Sequence, residues 1–156
     1  MKCITLHQPF GQLILDGSKW IESRDWHPSR ALLGKRIGIH AGAAWGKEQR
    51  ENAKWYGYPM ELPRGAVLCT AKLAGWFYVR HATEVSDRRG GLVYMPTEMH
   101  YREGEHLLSV PHDQCCVSFL GVGRCGWILR DVRPYAVPVP ARGYQKFWTW
   151  NSSEGA

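Results

Sequence analysis

One strongly alternating segment constrains the fold of this chain more than any other. Between Ala66 and Leu73, just after a Pro63-Arg64-Gly65 turn, an apolar residue stands at every odd position. This period of two is typical of a β-strand. A partner strand is predicted at Cys125 to Val132, with Trp127 on one face and Arg130 on the other. The chain is therefore expected to build on short strands.

Other segments predict further short strands and two short helices. Lys2 to His7 alternates as a strand, and a strand from Arg36 to Ala41 turns its isoleucines inward and His40 away from them. Pro9 is expected to open a helix of about eight residues, because proline is tolerated in the first turn, and Gly17 is expected to end it. A second helix is predicted from Trp45 to Tyr56.

The remaining segments and the composition complete the expected fold. The polar, glycine-bearing stretch from Val79 to Asp113 is expected to form a loop-rich insertion of about 79–113. Pro134 to Pro140 can serve only as an edge or extended segment. A chain of 156 residues, 44% hydrophobic and 22% charged, fits one domain over 1–156. We predict an α+β fold, a small and partly open β-barrel with two short flanking helices.

Cysteine spacing and hydropathy restrict the compartment and the cofactors. The five cysteines are odd in number without CxxC spacing, which favours reduced thiols. His112 to Cys116, with His100 and His106 upstream, matches no familiar zinc spacing, so neither a metal nor a cofactor is expected. No apolar run approaches the roughly 18 residues that span a bilayer, and the apolar region at the N-terminus is too short for a secretory signal. We expect a cytoplasmic protein without a membrane partner, of undetermined oligomeric state.

The stretch from Gly17 to Trp26 concentrates a lysine, a carboxylate, a guanidinium and two indoles. In an extended conformation, four of its side chains share one face and could grip a planar, polar ligand: Trp20, Glu22, Arg24 and Trp26. The alternative is that both tryptophans belong to a core and Glu22 simply pairs with Arg24. Lys19 is out of phase with this face, so it is expected to project from the turn after Gly17.

Charge and aromatic content favour a nucleic acid as the partner. The formal net charge is +6, and the chain contains eight Trp and seven Tyr, more than one core usually holds. Stacking of a base on an aromatic ring contributes about 1 to 3 kcal/mol, and cationic side chains attract phosphate. Most of the rings are nevertheless expected to be structural.

Three motifs in succession resemble the ASCH domain, a family of the PUA-like superfamily. They are Ile4-Thr5-Leu6-His7-Gln8-Pro9, the pattern of Gly17, Lys19, Glu22 and Arg24, and Gly38-Ile39-His40-Ala41. Gly126 to Pro134 and the Pro138 to Trp148 ending are also similar to that family. The similarity covers nearly the whole chain apart from 79–113, and it implies a PUA-like barrel associated with RNA and modified bases.

The resemblance also implies a site. Lys19, Glu22 and Arg24 would line a cleft beside the first helix, with Gln8 and Pro9 nearby. For His40, a role as a hydrogen-bonded surface residue and a role in ligand contact are both open. Further candidates would stack on bases or hold phosphates: Trp26, Trp45, Arg36, Arg142 and Lys146.

Two classes of function follow, and the resemblance alone adds a third. The first, which we prefer, is binding of a nucleic acid or a modified nucleoside, with RNA favoured over DNA. The second is hydrolysis, because some PUA-like relatives are amidohydrolases acting on N4-acetylcytidine; Lys19 and Glu22 would then be catalytic. In those enzymes a threonine occupies the position of Glu22, so their nucleophile is not transferred. Other family members are ribonucleases.

Overall fold

The computed structural model describes residues 1–80, 82–86, 92–96, 100–103, 106–111, 113–114 and 120–151. The strands are β1 (Lys2–Leu6), β2 (Ile21–Arg24), β3 (Arg36–Ala41), β4 (Ala66–Tyr78), β5 (Ala82–Ser86), β6 (Leu92–Pro96), β7 (His100–Glu103), β8 (His106–Ser109), β9 (Cys125–Pro140) and β10 (Trp148–Thr149). The helices are α1 (Phe10–Leu15), α2 (Lys47–Trp55) and a 3-10 turn, Arg30–Leu32. A helix long and apolar enough to cross a membrane does not occur in these ranges.

Six strands form one mixed sheet in the order β10-β1-β3-β4-β9-β2. β1 pairs parallel with β3, whereas the β1–β10, β3–β4 and β2–β9 pairs are antiparallel. β5 pairs with β6 and β7 with β8 in two separate two-stranded sheets. The large sheet has β10 at one edge and β2 at the other, so it is open, and with two short helices it agrees with the predicted α+β class.

The chain forms two compact units. Unit 1 consists of Met1–Ser18, Arg36–Lys72 and Asp131–Ala156, and unit 2 consists of Lys19–Lys35 and Leu73–Arg130. The long strands β4 and β9 each contribute residues to both units.

The core of unit 1 forms where β1 lies between β3 and β10. Cys3 is the cross-strand partner of both Gly38 and Trp148, and a Cβ atom on Gly38 would overlap the Cys3 sulfur. Glycine at this position therefore lets the two strands approach closely. A buried cluster continues beneath them and consists of Cys3, Val67, Trp148 and Trp150.

The core of unit 2 forms behind the short strand β2. Ile21 pairs with Ile128 and Ser23 with Gly126, so these residues share one face of the strand pair. A Cβ atom on Gly126 would overlap the Phe77 ring, which places that ring directly against the strand. The buried cluster here consists of Ile21, Phe77, Val79, Leu120 and Ile128.

Helix α1 is shorter than the predicted eight residues. It begins at Phe10, because Pro9 holds the N-cap position outside the helix, and it has six residues. Asp16 is the C-cap and Gly17 follows in the left-handed conformation at φ +84°. A glycine in this conformation is a common helix end, so the predicted stop at Gly17 is confirmed.

The stretch 79–113, expected to be loop-rich, contains four short strands among its described residues. The strands are β5 to β8, and they form two antiparallel pairs, β5 with β6 and β7 with β8. Pairing between neighbouring strands satisfies their backbone hydrogen-bonding groups even where the side chains do not alternate between apolar and polar. The charged and glycine residues of this stretch therefore gave no strand pattern in the sequence.

The proline-rich tail, predicted as an edge or extended segment, is extended and forms the second half of β9. Pro134, Pro138 and Pro140 occupy positions of the same parity along this strand. Successive backbone N–H groups of a strand point to opposite sides, so the missing donors all fall on one side. The other side keeps its N–H groups and can pair, which explains how the strand tolerates three prolines.

Candidate functional site

Strand β2 places two charged side chains on one face. Glu22 and Arg24 alternate with Ile21 and Ser23, whose face packs on the core of unit 2. The Arg24 Nε atom lies 3.1 Å from Glu22 Oε1. The cross-strand partner of Glu22 is the buried Trp127, so an apolar ring lies beside the carboxylate and shields it from water.

Lys19 completes this arrangement from just outside the strand. Its side chain is 2% exposed, and its Nζ atom lies 3.1 Å from Glu22 Oε2. Nζ also donates a hydrogen bond to the Ile21 carbonyl. Lys19 is thus out of phase with the strand face, and its ammonium reaches Glu22 Oε2, the carboxylate oxygen that Arg24 does not contact. We call these residues the Lys19–Glu22–Arg24 cluster.

The Lys19–Glu22–Arg24 cluster carries one positive charge in excess, because a single carboxylate lies between two cations. Burial lowers the pKa of Lys19, although the Glu22 carboxylate opposes this shift. The Arg24 side chain is 21% exposed and the Glu22 side chain 9%. A desolvated lysine with a specific charge partner is a typical feature of functional sites, as well as of structural ion pairs.

The two indoles of the motif lie at the ends of β2. Trp20 packs on the core cluster of unit 2, and the Arg130 guanidinium lies 4.0 Å from its ring centroid. Trp26 is half-buried and meets the Trp127 ring edge to face at 4.6 Å. The Trp26 carbonyl also accepts a hydrogen bond from the Trp127 indole at 3.1 Å. Both rings therefore have packing roles.

Gln8 and Pro9 belong to unit 1, where the Gln8 side chain is fully buried. Its amide nitrogen donates to the Pro63 carbonyl at 2.7 Å, and its amide oxygen accepts the Gln12 N–H at 3.0 Å. The side chain thus fastens the start of α1 to the segment before β4. These contacts fix the position of Gln8 structurally.

His40 also belongs to unit 1 and is buried, so the expectation that it lies on an outward face was wrong. The chain after β9 covers it: His40 Nε2 lies 3.0 Å from the Ala141 carbonyl, and Trp148 meets the imidazole edge to face at 5.5 Å. Within the described part of the chain, the buried Nδ1 atom has no hydrogen-bond partner. Burial lowers the pKa of His40, and the Ala141 carbonyl opposes that shift.

The other candidate residues lie in unit 1 as well. Trp45 is half-buried, whereas Arg142 and Lys146 are exposed. Arg36, a further phosphate candidate, is bound to Thr70 at 3.0 Å and to Asp131. The structure therefore gathers the cationic motif of Lys19, Glu22 and Arg24 in unit 2 and the remaining candidates, apart from Trp26, in unit 1.

Sequence reasoning missed several residues around β2. The buried Gln114 accepts the Trp20 N–H at 2.9 Å, and Arg124 donates to the Ser23 hydroxyl at 3.0 Å. Both contacts span about a hundred residues of chain, for which a single sequence carries no signal. Most of the His112 to Cys116 stretch lies outside the described residues. Among the described residues, no group of three or more His, Cys, Asp or Glu side chains is arranged to hold a metal ion.

No protein-family model matches this chain, and no curated protein matches it. The chain is similar to the crystal structure of ASCH from Zymomonas mobilis, at 20% identity over 97% of this chain and 87% of that one, with a TM-score of 0.47. Two mutant forms of that protein are similar at 21% and 20% identity, over 97% of this chain and 88% and 90% of theirs, with TM-scores of 0.48 and 0.47. Function resides in a site and not in a shared fold, so the contacts above carry the functional argument.

Substitution of Glu22 tests whether its carboxylate stabilises the buried Lys19. In Glu22→Gln, the Lys19 ammonium stays buried without its counter-charge, so we expect unfolding free energy to fall by about 3 kcal/mol in urea denaturation. The double variant Lys19→Met with Glu22→Gln removes the buried charge as well and should recover part of that loss. A double variant no more stable than Glu22→Gln would contradict this account.

Titration of His40 gives a second prediction. Its pKa in the folded protein lies below its ordinary value of 6.5, so the unfolded chain takes up the proton first and stability falls as the pH drops below about 6.5. His40→Gln is neutral and retains a donor for the Ala141 carbonyl, so its stability should depend less on pH in this range. Urea midpoints measured at several pH values check this, and equal pH slopes for both proteins would contradict it.

Proposed function

We propose that this chain binds a nucleic acid, RNA in preference to DNA, or a modified nucleoside, through the Lys19–Glu22–Arg24 cluster of unit 2. The observation that carries the proposal is the burial of Lys19 beside a carboxylate shared with Arg24. Two further arginines lie beside the same strand pair and supply cationic groups: Arg124, which binds Ser23, and Arg130, whose guanidinium lies over the Trp20 ring.

The energetics of the cluster support a role beyond packing. Removing a lysine and a glutamate from water costs several kcal/mol per ion, and apolar residues of similar size often stabilise such a position equally well. If stability were the only role, apolar side chains or a more exposed ion pair would serve with a smaller desolvation cost. The cluster fits better as a site that presents fixed polar groups to a ligand.

The groups offer complementary chemistry to a nucleotide. A carboxylate accepts hydrogen bonds from the exocyclic amino groups of bases, and a guanidinium binds phosphate or a base edge with two parallel donors. Arg24 is the member of the cluster with appreciable exposure, so it supplies the first contact with an anion. The preference for RNA comes from the resemblance to the ASCH family and not from these contacts.

Arg24→Gln tests the proposal directly. We expect the affinity for labelled single-stranded RNA to fall about tenfold, and the dependence of affinity on salt to weaken by about one phosphate contact. Fluorescence titration at several salt concentrations measures both. Arg133→Gln is the matched control, because it removes the same charge from an exposed arginine of β9. Equal affinities for wild type and Arg24→Gln would contradict the assignment.

The burial of Lys19 beside Glu22, which lowers the pKa of the lysine, favours amide hydrolysis of an N4-acylated cytidine as a second candidate. A desolvated lysine releases its proton more readily, and the neutral amine could then act as a general base for water. Water adds to the amide carbonyl, the C–N bond breaks, and the products are acetate and cytidine.

This second candidate predicts that the protein converts N4-acetylcytidine into cytidine and acetate, detected by mass spectrometry. Lys19→Arg retains a positive charge but removes the amine that could lose its proton, so it should abolish the reaction. Intact N4-acetylcytidine after incubation with folded wild-type protein would eliminate hydrolysis of this substrate and leave binding.

A further inference from the structure

The segment that follows β9 presents cationic and aromatic side chains on the surface of unit 1. Arg142, Tyr144 and Lys146 are all exposed, and 54% of the Tyr144 surface is accessible. The Arg142 guanidinium carbon lies 5.5 Å from the Tyr144 ring centroid, and the Tyr144 ring meets Trp148 at 5.7 Å. An exposed tyrosine supported by an arginine and a buried tryptophan is suited to contact with a planar partner.

Several contacts hold this segment in one conformation. The Ala141 N–H donates to the Gly65 carbonyl at 2.9 Å, and the Ala141 carbonyl lies 3.0 Å from His40 Nε2. A Cβ atom on Gly143 would overlap the His40 imidazole, so the backbone lies directly on that ring. Lys146 has a left-handed φ of 56°, which a non-glycine residue keeps only where its surroundings impose it. The exposed side chains are therefore presented by a fixed backbone.

A second arginine–aromatic pair lies in unit 1, where the backbone before β4 meets the segment after β9. The Arg64 guanidinium carbon lies 4.9 Å from the Trp45 ring centroid. Gly65, which accepts the Ala141 N–H, directly follows Arg64, and Arg142 directly follows Ala141. One backbone hydrogen bond thus joins the residues next to Arg64 and Arg142, so the backbones that carry the two arginines lie close together in unit 1.

The charge of unit 1 indicates the partner. Its sequence contains ten Lys and Arg against six Asp and Glu, which gives a formal +4 of the chain's +6. Exposed rings and guanidinium planes both stack on unpaired bases, and the cations attract the phosphates between them. Paired bases in a duplex do not offer these faces, so the chemistry matches a single strand.

We propose that the Arg64–Trp45 and Arg142–Tyr144 pairs, together with Lys146, form a stacking surface of unit 1 that binds single-stranded nucleic acid. The surface belongs to a different unit from the Lys19–Glu22–Arg24 cluster and does not depend on the function proposed for it. It adds Arg64 and Tyr144 to three residues that the sequence had suggested as nucleic-acid contacts.

Fluorescence anisotropy with a labelled oligouridylate of about sixteen nucleotides tests this surface. We expect Tyr144→Ala and Trp45→Ala each to weaken binding about tenfold, whereas Tyr144→Phe keeps the ring and should stay within about twofold of wild type. Tyr78→Ala is the matched control, because Tyr78 is a tyrosine of unit 2 with 52% exposure. Circular dichroism spectra confirm that each variant is folded.

The outcomes separate this proposal from the function proposed for unit 2. Loss of affinity in Tyr144→Ala and Trp45→Ala, with Arg24→Gln equal to wild type, supports the stacking surface and contradicts the role of the Lys19–Glu22–Arg24 cluster. Loss in Arg24→Gln alone overturns the stacking surface. Equal loss in Tyr144→Ala and Tyr144→Phe also overturns it, because stacking requires only the ring.

Crosslinking gives a readout that does not depend on affinity. An oligonucleotide containing 4-thiouridine, irradiated with the wild-type protein, should attach to peptides that contain Trp45 or Tyr144. Attachment confined to other peptides would overturn the proposal. Vesicles rich in phosphatidylserine provide the remaining comparison: binding to vesicles that depends on Tyr144, without binding to the oligonucleotide, would identify an anionic lipid surface instead and overturn the assignment.

Discussion

The polar interior of unit 2 depends on one carboxylate shared between two cations. Glu22 holds Lys19 on one oxygen and Arg24 on the other, and its neighbour across the strands is the buried Trp127. An isolated ammonium in such surroundings would be strongly unfavourable, so Lys19 can be buried only because Glu22 is beside it. The four-residue strand β2 is therefore held in place both by these two ion pairs and by its pairing with β9.

Among the described tryptophans and tyrosines, some are buried in a core and others lie near the surface beneath an arginine. Trp127, Trp148 and Trp150 are buried and fill cores beside β9 and β10. Tyr144 is exposed and Trp45 is half-buried, and each has an arginine over its ring. The buried rings are required for folding, whereas Tyr144 and Trp45 keep part of their ring surface accessible.

Local pattern predicted the elements whose periodicity is strong and missed those fixed by distant contacts. The alternation from Ala66 and the helix stop at Gly17 both appear in the structure, and the spacing of Glu22 and Arg24 on one face is as expected. His40 was misplaced because the residues that bury it lie about a hundred positions later in the chain. The local sequence around a strand cannot indicate that its polar face will be covered.

The proline spacing in β9 limits how a further strand could pair with it. A strand that docks onto an exposed edge needs alternating donors and acceptors along its whole length. Pro134, Pro138 and Pro140 remove donors from the same side of β9, so that side offers carbonyl groups with few N–H groups between them. The side of β9 that carries these prolines is thereby a poor template for a docking strand, although β9 itself is sixteen residues long.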